Sequence, residues 1–221
     1  ADRGEFAAIV YHITQDQVYL DKWWDKLGFL DDRGANNIRE WTIDLGPMYA
    51  MVRDGLSSAQ RSLWINKANA LIDYIYISTH PLWDSDQTTG EALGVLLILE
   101  ATKNDNPRYA ELRGHPKLAK LLNEVKEWCE GHARDGMWIE SSEYNLGTPQ
   151  FLVMGAAQLQ LPWLNTYVAQ LAEYVLWDVT PDLKHPVMWG DSQNGDNLRL
   201  DRRMALLWLL TAVPGVVGAR V

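Results

Sequence analysis

The side chains best suited to chemistry lie in three polar stretches, residues 80–90, 134–148 and 178–197. Each stretch combines carboxylates with tryptophan. In the second, Asp135-Gly136 predicts a turn. Thr148-Pro149 is suited to begin a helix, because threonine caps helix N-termini and proline fits the first turn. Functional groups are often carried on loops that a rigid scaffold holds in place.

One set of residues suits proton abstraction. Removing a proton next to a carboxylate needs a base, a neutralising partner and an acid. Tyr144, Asn145 and His80 are the residues available for these roles. A structural interpretation stays open, in which Tyr144 packs with its hydroxyl bonded and Asn145 makes a turn.

A second set suits glycoside hydrolysis, which uses two carboxyl groups flanking the scissile bond. The candidates are Asp84, Asp86, Glu140, Glu143 and Asp191. Aromatic rings beside them suit sugars, because a flat apolar face with a polar edge fits an amphipathic ligand. These rings are Trp83, Trp138 and Trp189. Asp86 and Asp191 could instead cap a helix and a turn.

No metal or other cofactor is predicted, with calcium as a weak alternative. Its oxygen ligands would be Asp84, Asp86 and Glu91, or Asp191 with Asp196. Neither set has the spacing of a twelve-residue calcium loop. The histidines show no paired metal spacing, and no glycine-rich phosphate loop is present.

Composition restricts the partners. The 221 residues carry a net charge of −9, which argues against nucleic acid and anionic membrane surfaces. No apolar run reaches the roughly 18–20 residues that span a bilayer, and the N-terminus lacks signal-peptide features. The single cysteine, Cys129, excludes an internal disulfide. Eleven tryptophans fit either a helical core or a sugar-binding cleft.

Apolar spacing predicts an all-α protein of antiparallel helix hairpins, in one domain over 1–221. The first helix would use Phe6, Ile9, Val10 and Ile13 as its apolar face. No stretch has the period-2 pattern of a strand. The predicted helices are 4–13, 18–27, 38–53, a fourth that starts at 56–58 and has apolar positions from 63 to 75, and then 91–102, 117–132, 149–160, 163–177 and 198–212.

Three phrases carry a resemblance to a known family. Residues 8–20 place Thr14-Gln15-Asp16 before Tyr19-Leu20, between two helices. Residues 41–45 and 56–61 form the second phrase. The third runs from Asp135-Gly136 through Glu140 to Tyr144-Asn145. Together these phrases resemble the (α/α) toroid domains of polysaccharide lyases, especially the alginate-lyase and heparinase-like groups.

The resemblance implies an (α/α) toroid, or part of one, that cleaves a uronate-containing polysaccharide by β-elimination outside the cytoplasm, secreted or periplasmic. The cleft would be formed by the 80–90, 134–148 and 178–197 loops. The predicted catalytic residues are Tyr144, His80, Asn145, Glu140 and Asp191. The predicted substrate-binding residues are Trp83, Asp86, Trp138, Glu143 and Trp189. One departure is that Asn36-Asn37 is followed by Ile38 rather than by the histidine of the family motif. A glycoside hydrolase and a non-catalytic glycan-binding module therefore stay open.

Overall fold

The computed structural model describes residues 4–27, 30, 38–77, 85–132, 144–177 and 213. Within these ranges the regular structure is entirely helical, which confirms the all-α prediction. Nine α-helices fall in the described part of the chain. They are α1 (Glu5–Thr14), α2 (Gln17–Trp24), α3 (Ile38–Val52), α4 (Ser58–Ile77), α5 (Ser85–Thr102), α6 (Tyr109–Arg113), α7 (Pro116–Glu127), α8 (Tyr144–Gln158) and α9 (Pro162–Trp177). A 3₁₀ turn, Arg53–Gly55, follows α3, and a π-helical turn, Trp128–His132, follows α7.

The chain forms two compact units, Ala1–Leu121 and Leu122–Val221. The first contains α1 to α6 and the start of α7, and the second contains α8 and α9. One domain over 1–221 stays a prediction, as does the helix at 198–212, which lies outside the described residues. None of the helices that the structure describes is both long and apolar enough to cross a membrane.

The first helix forms where predicted, but its predicted inward face is wrong. Phe6 and Ile13 are 70% and 74% exposed, and Ile9 is 47% exposed. The buried side chains of α1 are those of Ala7, Ala8 and Tyr11. Small alanines let α1 approach its neighbours closely, whereas larger residues on that face would hold the helices apart.

A tight turn joins α1 to α2 and makes them an antiparallel hairpin. Gln15 adopts a left-handed conformation with φ of 57°. The Asp16 side chain then accepts a hydrogen bond from the backbone N–H of Val18 at 3.0 Å, which caps α2. At the other end, a Cβ on Gly4 would lie 3.0 Å from Cδ1 of Trp23, so the start of α1 lies against the end of α2.

Glycines bring α3 and α5 into very close contact. A Cβ added to Gly46 would overlap the Leu97 carbonyl and lie 2.7 Å from the backbone nitrogen of Ile98. A Cβ on Gly94 would lie 2.5 Å from Cγ2 of Thr42. The residue numbers in contact increase in the same direction along both helices, from Thr42 against Gly94 to Gly46 against Leu97. The two helices therefore run parallel. Helix α4, which lies between them in sequence, runs in the opposite direction.

The odd-numbered helices of the first unit form a row. Besides its contact with α5, α3 contacts α1. Tyr11, near the end of α1, reaches Gly55 just after the end of α3, so these two helices end on the same side. Even-numbered helices lie against this row. Helix α2 contacts α1 and α4 contacts α5, and the Trp64 ring of α4 stacks on the Tyr49 ring of α3. The first unit thus contains a row of odd-numbered helices with even-numbered helices against it.

The helix boundaries differ from the predictions at two places in this unit. The fifth helix begins at Ser85 rather than at 91, so residues 85–90 are not loop. The sequence predicts that Thr88 or Thr89 leads into this helix, but both residues are buried within it. The short α6 lies in a segment that the sequence predicts to be polar connection. The sequence predicts Ser57 or Ser58 as the cap of α4, and Ser57 has that role, because its Oγ accepts from the Gln60 N–H at 3.2 Å.

The second unit contains a hairpin of α8 and α9, as predicted for the chain on both sides of Leu161-Pro162. Its core includes Leu152 and Val153 from α8, with Leu164, Val168 and Leu171 from α9. In α9 these residues recur at spacings of four and three, which places them on one face.

The close contact between α3 and α5 predicts that one methyl group added at Gly46 lowers the stability of the protein. Gly46→Ala should lower the free energy of unfolding by about 3 kcal/mol, the upper end for overpacking, because backbone cannot move aside as a side chain can. Urea unfolding followed by circular dichroism measures this change.

A matched control is Gly131→Ala, since a Cβ there meets nothing within 4 Å. This variant should stay within about 0.5 kcal/mol of the parent protein. Equal stability of the two variants would contradict the close contact at Gly46.

Candidate functional site

Most predicted site residues lie outside the described residues. These are His80, Trp83, Trp138, Glu140, Glu143, Trp189 and Asp191, together with the calcium candidates Asp84 and Asp196. Their convergence around a cleft stays a prediction. Three others, Asp86, Tyr144 and Asn145, have described backbone, and in each case that backbone is helical.

Tyr144 and Asn145 form the beginning of α8 rather than the end of a loop. The prediction that Thr148 caps this helix and that Pro149 opens it is wrong, because both residues lie inside α8. Proline has no N–H, so the Asn145 carbonyl lacks its usual partner four residues on. The consequence is that two predicted catalytic residues are positioned by a helix, which fixes their backbone more firmly than a loop does.

Thr148 is a buried polar residue in this first part of α8. It is 2% exposed, and its hydroxyl has no hydrogen-bond partner in the structure. Buried polar groups in proteins are almost always bonded, so each exception invites an explanation. The sequence pattern gives Thr148 a different role, that of a cap.

Asp86 lies in the first turn of α5, and Glu91 lies one turn further along. Glu91 is 3% exposed, the one carboxylate among the buried residues of the described ranges. Positions five apart on an α-helix are separated by roughly 140° around its axis, which disfavours Asp86 and Glu91 as ligands of one calcium ion. No group of three metal-binding side chains occurs among the described residues.

Sequence reasoning missed a polar cluster at the ends of α3 and α5. Arg53 donates from Nη2 to Asp105 Oδ1 at 3.0 Å and from Nε to Oδ2 at 2.5 Å. The Tyr49 hydroxyl donates to Asp105 at 3.2 Å. The hydrogen bond from Arg53 lowers the pKa of Asp105, while burial raises the pKa of Tyr49 to about 12. The three side chains bond to one another, which favours a structural role for this cluster.

A second set of polar contacts joins the segment that follows α5 to helix α4. The side-chain amides of Asn69 and Asn106 bond to each other at 3.1 and 2.8 Å. Arg108 makes a two-pronged pair with Asp73 at 2.8 and 3.0 Å. These contacts satisfy one another within the described residues, which favours a structural role.

An open pocket of about 640 Å³ lies between α1 and α2. Phe6 and Tyr19 contribute rings, and Lys22, Lys26 and Asp25 contribute charges. The ammonium group of Lys22 lies 4.9 Å from the centroid of the Tyr19 ring, within cation–π range. Among the described residues that line this pocket there is no predicted site residue.

Comparison with known proteins gives no relative. No family model matches the chain, and neither a curated protein nor a solved structure matches it. The resemblance to polysaccharide lyases therefore depends on the three sequence phrases alone. Function has to be argued from the residues themselves.

The Arg53–Asp105 pair predicts a pH-dependent contribution to stability. The folded-state pKa of Asp105 is lowered, so its contribution is present above the unfolded pKa of about 3.9. It is lost as the pH falls through the folded pKa. Asp105→Asn should cost about 1–2 kcal/mol of unfolding free energy at pH 7, and the difference should shrink toward zero in acid. Urea unfolding at pH 7 and below pH 4 measures both effects.

The control is Asp54→Asn. Asp54 also pairs with Arg53, at 3.3 Å, but its side chain is 93% exposed. Exposed ion pairs contribute little, so this variant should match the parent at both pH values. A loss at Asp54 as large as that at Asp105 would disprove the assignment.

Proposed function

We propose that this protein is a carbohydrate-active enzyme, a polysaccharide lyase that cleaves a uronate-containing glycan by β-elimination. The observation that carries the proposal is the row of α1, α3 and α5 in the first unit, with α2 against α1 and with α4 against α3 and α5. Repeated hairpins with neighbouring parallel helices are the arrangement that an (α/α) toroid requires. The sequence phrases point to the same fold.

The proposed chemistry centres on the beginning of α8. Tyr144 would abstract the proton next to the uronate carboxylate, and Asn145 would help neutralise the charge that develops there. His80 would complete the set from the 80–90 stretch, with Glu140 and Asp191 as further acid candidates. The tryptophans Trp83, Trp138 and Trp189, with Asp86 and Glu143, would hold the sugar chain.

A glycan-binding module without catalysis is the second candidate. The pocket between α1 and α2 favours it, because rings at Phe6 and Tyr19 beside the ammonium of Lys22 suit an acidic sugar. The described residues that line this pocket include none of the proposed catalytic residues. The two candidate functions therefore depend on different residues.

The first test is a panel of acidic and neutral polysaccharides with two readouts. A lyase should give both ultraviolet absorbance from a new unsaturated uronate and new reducing ends, on acidic substrates only. Reducing ends without absorbance would identify a hydrolase instead. Binding without either product would favour the non-catalytic module. No binding and no product on any polysaccharide would count against all three candidates.

Where lyase activity is found, Tyr144→Phe should abolish it. Removal of a general base typically costs a factor of about 10²–10⁴ in kcat, whereas stability should change little. Tyr109→Phe is the matched control, because its hydroxyl donates to Glu100 at 2.9 Å near the surface. Steady-state kinetics on both variants measure the effect, and full activity in Tyr144→Phe would remove this residue from the mechanism.

A further inference from the structure

We propose that two copies of this chain associate through helix α1, with the two α1 helices packed antiparallel. The apolar strip of α1, defined as Phe6, Ile9 and Ile13, is the surface that the second copy covers. Because α1 holds none of the proposed catalytic residues, this dimer is independent of the proposed enzymatic activity.

The apolar strip forms one continuous face of α1. Successive residues of an α-helix are about 100° apart around its axis, so the three side chains fall within an arc of about 60°. They are 70%, 47% and 74% exposed in chain order. The buried side chains of α1, those of Ala7, Ala8 and Tyr11, lie on the opposite side of the helix. Contiguous apolar surface of this kind marks an interaction site, whereas isolated exposed residues do not.

Helix α1 also lies at one end of the row of odd-numbered helices, where it packs against α2 and α3. A helical array that ends in solvent presents a polar outer face, because an apolar one lowers solubility. Here the outer face of α1 is the apolar strip. The end of the row therefore offers a packing surface to a further helix.

Charge favours a second copy over a lipid surface as the occupant. Helix α1 contains one acid, Glu5, and one histidine, His12, and no lysine or arginine. Helices that lie on membranes carry lysine and arginine beside the apolar face, and a net charge of −9 repels anionic lipid. Two acidic copies approach each other most easily through a face of low net charge, and α1 provides one.

The positions of Glu5 and His12 select the antiparallel arrangement. They lie on one flank of the strip, about 20° apart around the helix axis and about 10 Å apart along it. In a twofold antiparallel pair, each flank faces the same flank of the other copy. Glu5 of one copy thus lies beside His12 of the second copy, and the pair occurs twice. Glu5 also interacts within its own chain, and a carboxylate accepts at two oxygens, so both contacts are compatible.

The apolar strip matches itself in the same arrangement. With the twofold axis near Ile9, Phe6 of one copy lies against Ile13 of the other, at both ends of the helix pair. One pair of short helices buries less than the roughly 800 Å² per partner of a standard interface. The expected dissociation constant is therefore on the order of 10–100 μM, and dilute protein is monomeric.

Sedimentation velocity of the full chain, over concentrations that span this constant, tests the association. The sedimentation coefficient should rise toward that of a dimer and no further. Phe6→Gln combined with Ile13→Gln should raise the dissociation constant about tenfold or more, because both apolar side chains are covered in the dimer. Both positions are exposed, so circular dichroism should show an unchanged fold.

The matched control is Ile77→Gln on α4. Ile77 is 77% exposed, as open as Ile13, but it lies on another helix. This variant should associate as the parent protein does. An equal loss of association in Ile77→Gln and in the α1 variant would contradict the assignment of the interface to α1.

Charge substitutions at His12 test the pairing with Glu5. His12→Lys should tighten the dimer and His12→Glu should weaken it, each by a few-fold, because exposed ion pairs contribute little individually and this one occurs twice. Added salt should reduce the difference between the two variants. Equal dissociation constants for the two variants would overturn the antiparallel pairing.

Disulfide trapping tests the orientation directly. Ile9→Cys should crosslink two copies under mild oxidation, because this position lies at the twofold axis. Ile13→Cys should not crosslink to itself, since the two copies of that residue lie about 12 Å apart along the helix axes, beyond the reach of a disulfide. The native Cys129 is only 2% exposed and gives little background. A crosslink at Ile13 without one at Ile9 would overturn the proposed arrangement.

The other occupants of the strip give different results. A chain that stays monomeric at every concentration would overturn the proposal. Binding to phosphatidylcholine vesicles that is lost in the Phe6 and Ile13 variant, without self-association, would assign the strip to a lipid surface instead. Growth beyond the dimer that His12 substitutions do not change would show non-specific apolar association, which also contradicts a defined interface.

Discussion

The first unit depends on the backbone contact between α3 and α5. Gly46 and Gly94 remove the side chains that would otherwise separate two parallel helices. With the helices this close, their C-terminal ends meet, and Arg53 comes within hydrogen-bond distance of Asp105. The same contact leaves α4 as the returning helix beside α5, with Asn69 and Asp73 bonded to the connection that follows. The polar contacts that follow α3 and α5 therefore depend on the close contact between these two helices.

Helix positions were readable from the sequence because each buried stripe repeats every three to four residues. Which face of each helix is buried was harder to predict from the sequence. In α1, the large residues Phe6 and Ile13 dominate the pattern, whereas the close packing is made by Ala7 and Ala8. Gly46 next to Pro47 reads as a kink, and nothing in the local sequence shows that Gly46 contacts Leu97. Contacts between distant segments decided both cases, and local periodicity contains no information on them.

For the site, the sequence predicts that Tyr144 and Asn145 lie in a loop, whereas the structure places both at the beginning of α8. It misjudged Thr148, since a threonine before proline has the same local signature at a cap and inside a helix. Glu91 was considered only as a calcium ligand, although an acid within an apolar helix is a sign of an unusual environment. The Arg53–Asp105 pair spans 52 positions, too far for any local pattern.

The exposed residues of α1 have a practical consequence. Phe6, Ile9 and Ile13 present one apolar strip on a helix whose opposite side is packed. Fluorescent dyes such as ANS report unfolding by binding exposed apolar surface, and this strip offers such surface in the native state. Dye fluorescence should therefore start high at low temperature and rise only modestly on melting. Circular dichroism or calorimetry, which do not depend on dye binding, would follow the folding of this protein more faithfully.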